Sequence, residues 1–389
     1  MRNETLFERL GIEYEEVEDI FYPLLSVEME VSKLQKDNER VEVCASMWDY
    51  ISSVQRGARY PVYRGIPEIL RKKMEQAESN EQLKIWADTV RAVPQYTSCL
   101  PTLSSEYIKN ARNIWKANVS GNTDILQIIL RHAVEYGKTG KTSPILLAGP
   151  PGIGKTLIAK TYSEILGLPC KFVFGPSAAV NRGLAGSPNM YIGSSAGAIV
   201  QAMITTRSGN PVICIDEIDK ASGGHTGMPN FQNELLSALD DSCEHWHDNY
   251  VELDLDISHI PFVFTANNID AISTPLLDRM EVIEMEAPTR EMLHEIAQYH
   301  MLPKVMDTYN HSQLKIGEKT IAALVDYMWD AGNRSCRPYR KAIDLLVSDA
   351  YLEMLESNRQ VIITERDAFA AAKHFSKDSN CRTIGFLTA

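Results

Sequence analysis

An eight-residue glycine-rich segment near the middle of the chain constrains its fold more than any other feature. Residues 149–156 read Gly-Pro-Pro-Gly-Ile-Gly-Lys-Thr and match the pattern GxxxxGK[ST] in full. The apolar residues 144–148 predict a strand just before this segment, and residues 157–167 have the apolar spacing of a helix. A glycine-rich turn that opens into a helix N-terminus presents backbone N–H groups to phosphate oxygens. The segment therefore predicts a phosphate-binding loop in an α/β domain.

The last two residues of this phosphate loop, as we call residues 149–156, have side chains suited to a nucleotide. The ammonium group of Lys155 can reach the β- and γ-phosphates, and the hydroxyl of Thr156 can coordinate Mg²⁺. The predicted cofactors are therefore ATP and Mg²⁺.

A pair of acidic residues follows a second apolar run. Residues 211–215 predict a strand that ends at Asp216 and Glu217. Asp216 can hold Mg²⁺ through water, and Glu217 can polarise the attacking water. The same residues fit an ordinary turn at a strand end, but beside a phosphate loop we favour the catalytic interpretation. The predicted nucleotide-binding residues are Gly149, Pro150, Pro151, Gly152, Ile153, Gly154, Lys155, Thr156 and Asp216, and the predicted Mg²⁺ ligands are Thr156 and Asp216.

A polar amide follows a third apolar run. Residues 262–266 predict a strand that ends at Asn267, whose side chain can orient the water or contact the γ-phosphate. Asn268 is an alternative, and both residues could instead cap the turn because asparagine favours such positions.

Arginines occur at two places where they could meet a phosphate. Arg279 follows a short predicted helix and could stabilise charge on a neighbouring subunit's nucleotide, or it could form a local ion pair with Asp278. Arg334 and Arg337 precede a later helix, and either could approach the phosphates from that side.

The chain divides into four predicted parts. Residues 1–110 are mostly helical, carry no chemical motif, and form a candidate substrate or partner region. Residues 111–286 alternate strands with helices, which predicts a parallel sheet flanked by helices. Residues 287–376 are helical again and form what we call the lid, and residues 377–389 are a C-terminal tail. The predicted fold class is α/β, followed by a helical subdomain.

Composition narrows the class of partner. The 389 residues include 39 Lys and Arg against 51 Asp and Glu, a net charge of −12, which argues against nucleic acid as the main ligand. The seven cysteines are scattered without a CxxC pair, as in proteins of reducing compartments. No apolar run is long enough to span a bilayer, and the N-terminal residues do not resemble a secretory signal. We therefore expect a cytoplasmic protein with no membrane partner.

Four segments in this order, GPPGIGKT, ICIDEIDK, FTANN and PLLDRMEVI, resemble those of AAA+ P-loop ATPases. Residues 186–201 and 247–258 further resemble the ATPase module of Lon-type proteases, so the resemblance covers roughly residues 120–375. It implies the following roles: Lys155 in the Walker A motif, Asp216 and Glu217 in the Walker B motif, Asn267 as sensor 1, Arg279 as arginine finger, Arg334 as sensor 2 with Arg337 as its rival, and Tyr191 with Ile192 in a substrate-gripping pore loop.

The resemblance also implies a function. A site completed by a neighbour's Arg279 predicts a homo-oligomeric ring, a hexamer by analogy with the family. Lon-type proteases continue into a peptidase domain, whereas this sequence ends at Ala389, so we expect an ATP-dependent unfoldase or remodeller of protein partners without its own peptidase. The alternatives are a nucleotide-dependent assembly switch or scaffold, and a nucleic-acid-associated motor, which the negative charge disfavours.

Overall fold

The computed structural model describes residues 59–62, 96–181, 183–188, 194–221, 231–309, 314–357 and 359–375. The helices predicted within residues 1–58 and 63–95, the tail 377–389 and the predicted pore-loop residues Tyr191 and Ile192 lie outside the described residues.

The described chain contains short strands and longer helices. The strands are β1 (Arg59–Pro61), β2 (Thr97–Cys99), β3 (Ile145–Ala148), β4 (Cys170–Phe174), β5 (Val212–Asp216), β6 (Trp246–Asp248), β7 (Leu253–Leu255), β8 (Phe262–Ala266), β9 (Glu281–Glu284), β10 (Leu314–Ile316) and β11 (Val361–Ile363). The helices are α1 (Ser105–Asn118), α2 (Thr123–Thr139), α3 (Lys155–Leu166), α4 (Gly175–Asn181), α5 (Ala198–Thr206), α6 (Phe231–Ala238), α7 (Thr274–Leu277), α8 (Arg290–Glu295), α9 (Leu302–Tyr309), α10 (Glu318–Asp330), α11 (Cys336–Ser357) and α12 (Glu365–Lys373). Short 3₁₀ turns occur at Ile218–Lys220, Asp241–His245 and Ile269–Ala271, and a π-helical turn, Ile296–Met301, joins α8 to α9.

Five strands form a parallel sheet in the order β4-β5-β8-β3-β9. Every residue of β3 and β8 is buried, because helices cover both faces of the sheet. This arrangement confirms the predicted α/β class. The sequence reasoning missed β9, whose residues Glu-Val-Ile-Glu are only partly apolar because this strand lies at the sheet edge.

Alternate side chains of each strand enter two different cores. Leu146 and Ile213 pack on one face with α5 and α6, while Ile145, Leu147 and Val212 pack on the other with α1, α2 and α3. This period of two follows from strand geometry, and it places the carboxyl ends of β3, β5 and β8 along one edge of the sheet. The predicted phosphate loop, Asp216 and Asn267 all leave the sheet at that edge.

The described part of the lid comprises α8 to α12 and has its own core, which includes Leu324, Met328, Tyr339 and Val347. Residues 285–289 connect it to β9. In the part of the chain that the structure describes, no helix combines the length and the apolar character needed to cross a membrane.

The strand pair β1–β2 belongs to the α/β body. Val62 is fully buried in one of the two sheet-face cores, and Asn210, just before β5, binds both backbone groups of Cys99 at 2.7 and 3.0 Å. The predicted boundary between residues 110 and 111 falls inside α1, which packs its Trp115 against the α3 side of the sheet. The sequence reasoning placed the boundary there because β-rich apolar runs begin only beyond it, whereas the contacts of β2 and α1 are with residues distant in sequence and leave no local pattern.

Candidate active site

Glycines shape the phosphate loop for two different reasons. A Cβ atom at Gly149 would lie 2.2 Å from the carbonyl oxygen of Met285, so the neighbouring backbone leaves no room for a side chain. Gly154 has a φ angle of +103°, and no atom lies within 4 Å of the position that its Cβ would take. Gly149 therefore allows tight packing, whereas Gly154 leaves open space at the N-terminus of α3, where a phosphate can bind.

Lys155 is buried at this helix N-terminus. Its ammonium donates to the carbonyl oxygens of Gly149 at 2.6 Å and Pro150 at 2.8 Å, and to Asn267 Oδ1 at 2.9 Å. Burial lowers the pKa of Lys155 below its usual value, although the nearby carboxylates of Asp216 and Asp219 oppose the shift. The structure thus brings two predicted site residues, Lys155 and Asn267, into direct contact.

A buried hydroxyl on the next strand fixes the acidic pair. The Thr265 hydroxyl donates to Asp216 Oδ1. Thr265 Oγ1 also accepts the backbone N–H of Glu217 at 3.0 Å. Thr265 is 1% exposed. The sequence reasoning did not single out Thr265, although it is the one polar residue in the run Phe-Val-Phe-Thr-Ala. A hydroxyl inside an otherwise apolar strand next to a predicted catalytic strand is the signal that could have found it.

Asp219 performs a similar task for the tip of β8. One of its oxygens accepts the backbone N–H groups of Asn267 and Asn268, both at 3.2 Å. The Asn268 side chain accepts the N–H of Asp270 and so caps the next turn. Of the two asparagines, only Asn267 is among the described residues that line the cleft.

Glu217 has a left-handed backbone conformation with φ 57° and ψ 50°. Non-glycine residues adopt it at some cost, so the surrounding bonds must hold it. Its carboxylate Oε2 lies 2.8 Å from the ammonium of Lys220, three residues later. The hydrogen bond from Lys220 to this carboxylate raises the pKa of Lys220.

A cleft of about 570 Å³ lies between the α/β body and the lid, a size suited to a small ligand. Its polar lining consists of residues 151–156 of the phosphate loop with Asp216, Glu217, Thr265 and Asn267. Its apolar lining includes Val119, Ile125, Met292 and Ile296. The cleft can therefore take a ligand that has a charged part and an apolar part.

The lid contacts the phosphate loop directly. The N–H of Cys336 donates to the carbonyl oxygen of Gly152 at 2.9 Å, and Ser335 Oγ lies 3.4 Å from the same oxygen. Arg337 and Arg340, at the start of α11, both line the cleft. The start of the largest lid helix is thus joined to the loop that would hold phosphate.

The predicted sensor 2 residue, Arg334, does not point into the cleft. Its guanidinium stacks on the Trp329 ring at 3.6 Å and donates to the carbonyl oxygens of Trp329 and Asn333. Stacking and two hydrogen bonds hold it against the lid surface, and the cleft-lining role falls to Arg337. This placement favours Arg337 over Arg334 as the arginine that meets phosphate, and the sensor 2 assignment stays a prediction.

Arg279 also lies outside the cleft of its own chain. Its guanidinium donates to the carbonyl oxygen of Pro275 at 2.9 Å and lies 3.7 Å from a carboxylate oxygen of Asp240. The side chain is 36% exposed, so it is accessible to a neighbouring molecule.

The residues present fit ATP and Mg²⁺. The open space at Gly154, the adjacent ammonium of Lys155 and the cleft volume suit a triphosphate. Within the described residues there is no cluster of three or more His, Cys, Asp or Glu side chains that could hold a metal ion. Mg²⁺ at nucleotide sites needs only one or two protein ligands besides phosphate, and Thr156 and Asp216 both line the cleft and can supply them.

Comparison with known families agrees with this geometry. The family model "ATPase family associated with various cellular activities (AAA)" matches residues 145–286, the segment from β3 to the end of β9. The chain therefore contains an AAA domain, a P-loop ATPase fold whose activity is ATP hydrolysis.

The relatives define the kind of AAA domain more narrowly. The chain is 32% identical to a Lon protease of Porphyromonas gingivalis over 278 residues, which are 70% of this chain and 32% of that protein. It is 29% identical to a Lon protease of Clostridium acetobutylicum over 376 residues, 90% of this chain and 46% of that protein. Its ATPase region is homologous to that of Lon proteases, and the chain spans about one third to one half of the length of these relatives. The RuvB Holliday junction branch migration motor of Thermotoga maritima, a solved structure, is 18% identical over 65% of this chain and 69% of that chain, with a TM-score of 0.45.

Proposed function

We propose that this protein is an ATP-driven unfoldase or remodeller that acts on polypeptide partners as a homo-oligomeric ring. The observation that carries the proposal is the direct bond between the lid and the phosphate loop, Cys336 to Gly152, beside the cleft-lining Arg337. The N-terminus of the lid helix α11 is hydrogen-bonded to the loop that would hold phosphate. We therefore expect release of the γ-phosphate to change the contacts between this loop and the lid.

Each cleft residue has a distinct chemical task in this proposal. Glu217 orients and deprotonates the attacking water, while Asn267 holds that water in line. Lys155 exchanges its bonds to the loop carbonyls for bonds to phosphate oxygens, and Arg337 supplies positive charge from the lid side. Bound ATP supplies the reacting phosphoryl group, and Mg²⁺ held by Thr156 and Asp216 neutralises its charge.

The ring is proposed from the position of Arg279. Its exposed guanidinium, which lies outside its own cleft, suits contact with the nucleotide of a second subunit. A contact between two different surfaces of identical chains gives a ring when the rotation between neighbours closes, and we propose a ring of six subunits by analogy with the family.

Polypeptide as substrate is supported by the likeness to Lon proteases and by the frame around residues 189–193. Ser187 and Ser195 lie on either side of this segment and are joined by two hydrogen bonds, so the described backbone before the segment is close to the described backbone after it. Tyr191 and Ile192 lie within it in the sequence, and an aromatic beside an aliphatic residue grips peptide by apolar area rather than by sequence. A reducing, cytoplasmic setting fits the free cysteines at positions 99, 170, 214, 243 and 336.

A substrate trap tests the proposal. Glu217→Gln is expected to bind ATP but to hydrolyse it very slowly, so that polypeptide partners remain bound and copurify in ATP-containing buffer. Lys155→Ala, which lacks the phosphate-binding ammonium, is the control that should retain none. Adding Tyr191→Ala to the trap should release the partners.

The outcomes separate the alternatives. A trap that assembles but retains no polypeptide, with or without Tyr191, favours an assembly switch or scaffold. Retained nucleic acid favours a nucleic-acid-associated motor and contradicts the argument from charge.

A further inference from the structure

The ion pair between Glu217 and Lys220 occurs at the point where the proposed chemistry needs a free carboxylate. The Glu217 carboxylate lines the cleft, yet its Oε2 is 2.8 Å from the ammonium of Lys220, which lies outside the set of cleft-lining residues. A carboxylate that accepts a proton from water needs an oxygen directed at that water, and the bond to Lys220 directs Oε2 away from that task.

Backbone hydrogen bonds hold both residues of this pair, so the pair can change most readily through its side chains. The Glu217 N–H is bound by Thr265, and the Lys220 N–H donates to the Glu217 carbonyl oxygen at 3.0 Å. Between them, Ile218 is fully buried and Asp219 holds the tip of β8. Release of the Lys220 ammonium therefore frees the Glu217 side chain without disturbing Asn267 or Asp216.

The ion pair between Glu217 and Lys220 is also accessible to solvent and therefore easy to break. The Lys220 side chain is 55% exposed, against 27% for Glu217, so solvent and any approaching acidic group can compete for the ammonium. Exposed ion pairs of this kind are weak, unlike buried ones, whose rupture leaves an uncompensated charge.

We propose that Lys220 is a positioning residue that restrains Glu217 in the resting protein, so that its release sets the rate of ATP hydrolysis. The inference rests on the role of Glu217 proposed above. In this arrangement Lys220 contacts neither the nucleotide nor the attacking water, and it acts only through the Glu217 carboxylate.

Steady-state ATPase assays of the full chain test this inference. Lys220→Met, which keeps the length of the side chain but removes the charge, is expected to raise kcat about two- to fivefold, the range that one exposed ion pair provides, and to leave KM for ATP unchanged. Lys220→Arg restores a cation and should return kcat to the wild-type value. Loss of a merely structural contact would lower kcat or leave it unchanged.

The matched control is Lys141→Met. Lys141 is 55% exposed, as Lys220 is, and forms a 2.7 Å pair with Glu244 outside the cleft, so its removal should leave both constants unchanged. A kcat of Lys220→Met that equals the Lys141→Met value, or falls below it, overturns the inference. Failure of the proposed catalytic role looks different, because Glu217→Gln would then hydrolyse ATP at the wild-type rate.

Discussion

At the scale of single residues, Thr265 is hydrogen-bonded to both acidic residues at the end of β5, Asp216 and Glu217. Its oxygen donates to Asp216 and accepts from the Glu217 N–H, so one hydroxyl fixes both the proposed metal ligand and the proposed base. The strained φ of Glu217 makes this bond important, because nothing intrinsic to a glutamate favours that conformation.

Replacing Thr265 by Val removes the hydroxyl but keeps the shape of the side chain. We expect kcat to fall about 10- to 100-fold, since small misplacements of catalytic groups cost that much, and the free energy of unfolding to fall by about 1–3 kcal/mol. Nucleotide binding, measured by fluorescent ATP titration, should persist because Lys155 and the phosphate loop are untouched.

Two variants separate catalysis from stability in this experiment. Thr265→Ser keeps a hydroxyl and should retain most activity. Thr161→Val removes an equally buried hydroxyl that bonds only within α3, so it should affect stability alone. Equal kcat values for Thr265→Val and Thr161→Val would contradict the assigned role.

The site was predictable where its chemistry is local in sequence. The phosphate loop and Asp216–Glu217 can be identified because glycines, lysine and carboxylates follow apolar runs at fixed spacing. The roles of Thr265 and Asp219 were not predicted, since their contacts join residues almost fifty positions apart and exist only because β5 pairs with β8. The family resemblance favoured Arg334 over Arg337, and no pattern in the sequence shows that the Arg334 guanidinium stacks on the Trp329 ring.

At the scale of elements, the β6–β7 hairpin holds the backbone that flanks residues 189–193. Asp248, fully buried at the hairpin, accepts the N–H groups of Gly197, Tyr250 and Val251, each at 3.0 Å. The sequence reasoning identified this region only through its resemblance to Lon-type proteases and predicted neither the hairpin nor this contact, because strands of three residues carry little periodicity.

Asp248 gives this hairpin a measurable pH dependence. Burial raises its pKa from 3.8 to about 6, so between about pH 4 and pH 6 the folded protein keeps a proton that the unfolded chain has lost. The contribution of this group to stability therefore falls as the pH rises through that window. Relative to the wild type, Asp248→Asn should gain about 2.4 kcal/mol of unfolding free energy between pH 4 and pH 7, measured by urea denaturation.

The measured quantity is the difference in unfolding free energy between Asp248→Asn and the wild type at each pH. Because other groups titrate in both proteins, their contributions cancel. Asp270→Asn, at an exposed position, is the control and should follow the wild type across the same range. A constant offset between Asp248→Asn and the wild type would show that Asp248 titrates near its ordinary value.

At the scale of the whole molecule, Arg279 does not line the cleft of its own chain, which supports the proposal that a complete site uses two chains. Glu217 would come from one subunit and Arg279 from the next around the ring. Asp240, at the end of α6, is within 3.7 Å of the guanidinium and can hold Arg279 until a neighbour binds.

Mixing two inactive proteins tests the shared site. Glu217→Gln and Arg279→Ala should each hydrolyse ATP very slowly alone. In an equimolar mixture with random assembly, about a quarter of the sites combine an intact Glu217 with a neighbour's intact Arg279, and this fraction of activity should return. Activity should rise with protein concentration, whereas a mixture that stays inactive while forming mixed rings would place Arg279 outside the site.

The strand pair β1–β2 has a consequence for how chains of this kind diversify. Pro61 pairs with Thr97, and the N–H of Val62 donates to the Tyr96 carbonyl oxygen at 3.2 Å, so the described backbone before residue 63 and after residue 95 meets at adjacent points of the α/β body. The entropy of closing a loop between two such points grows only with the logarithm of its length. We therefore expect insertions, deletions or replacements between residues 62 and 96 to affect the nucleotide cleft little, so that segments of different length can be exchanged here while the ATPase fold is kept.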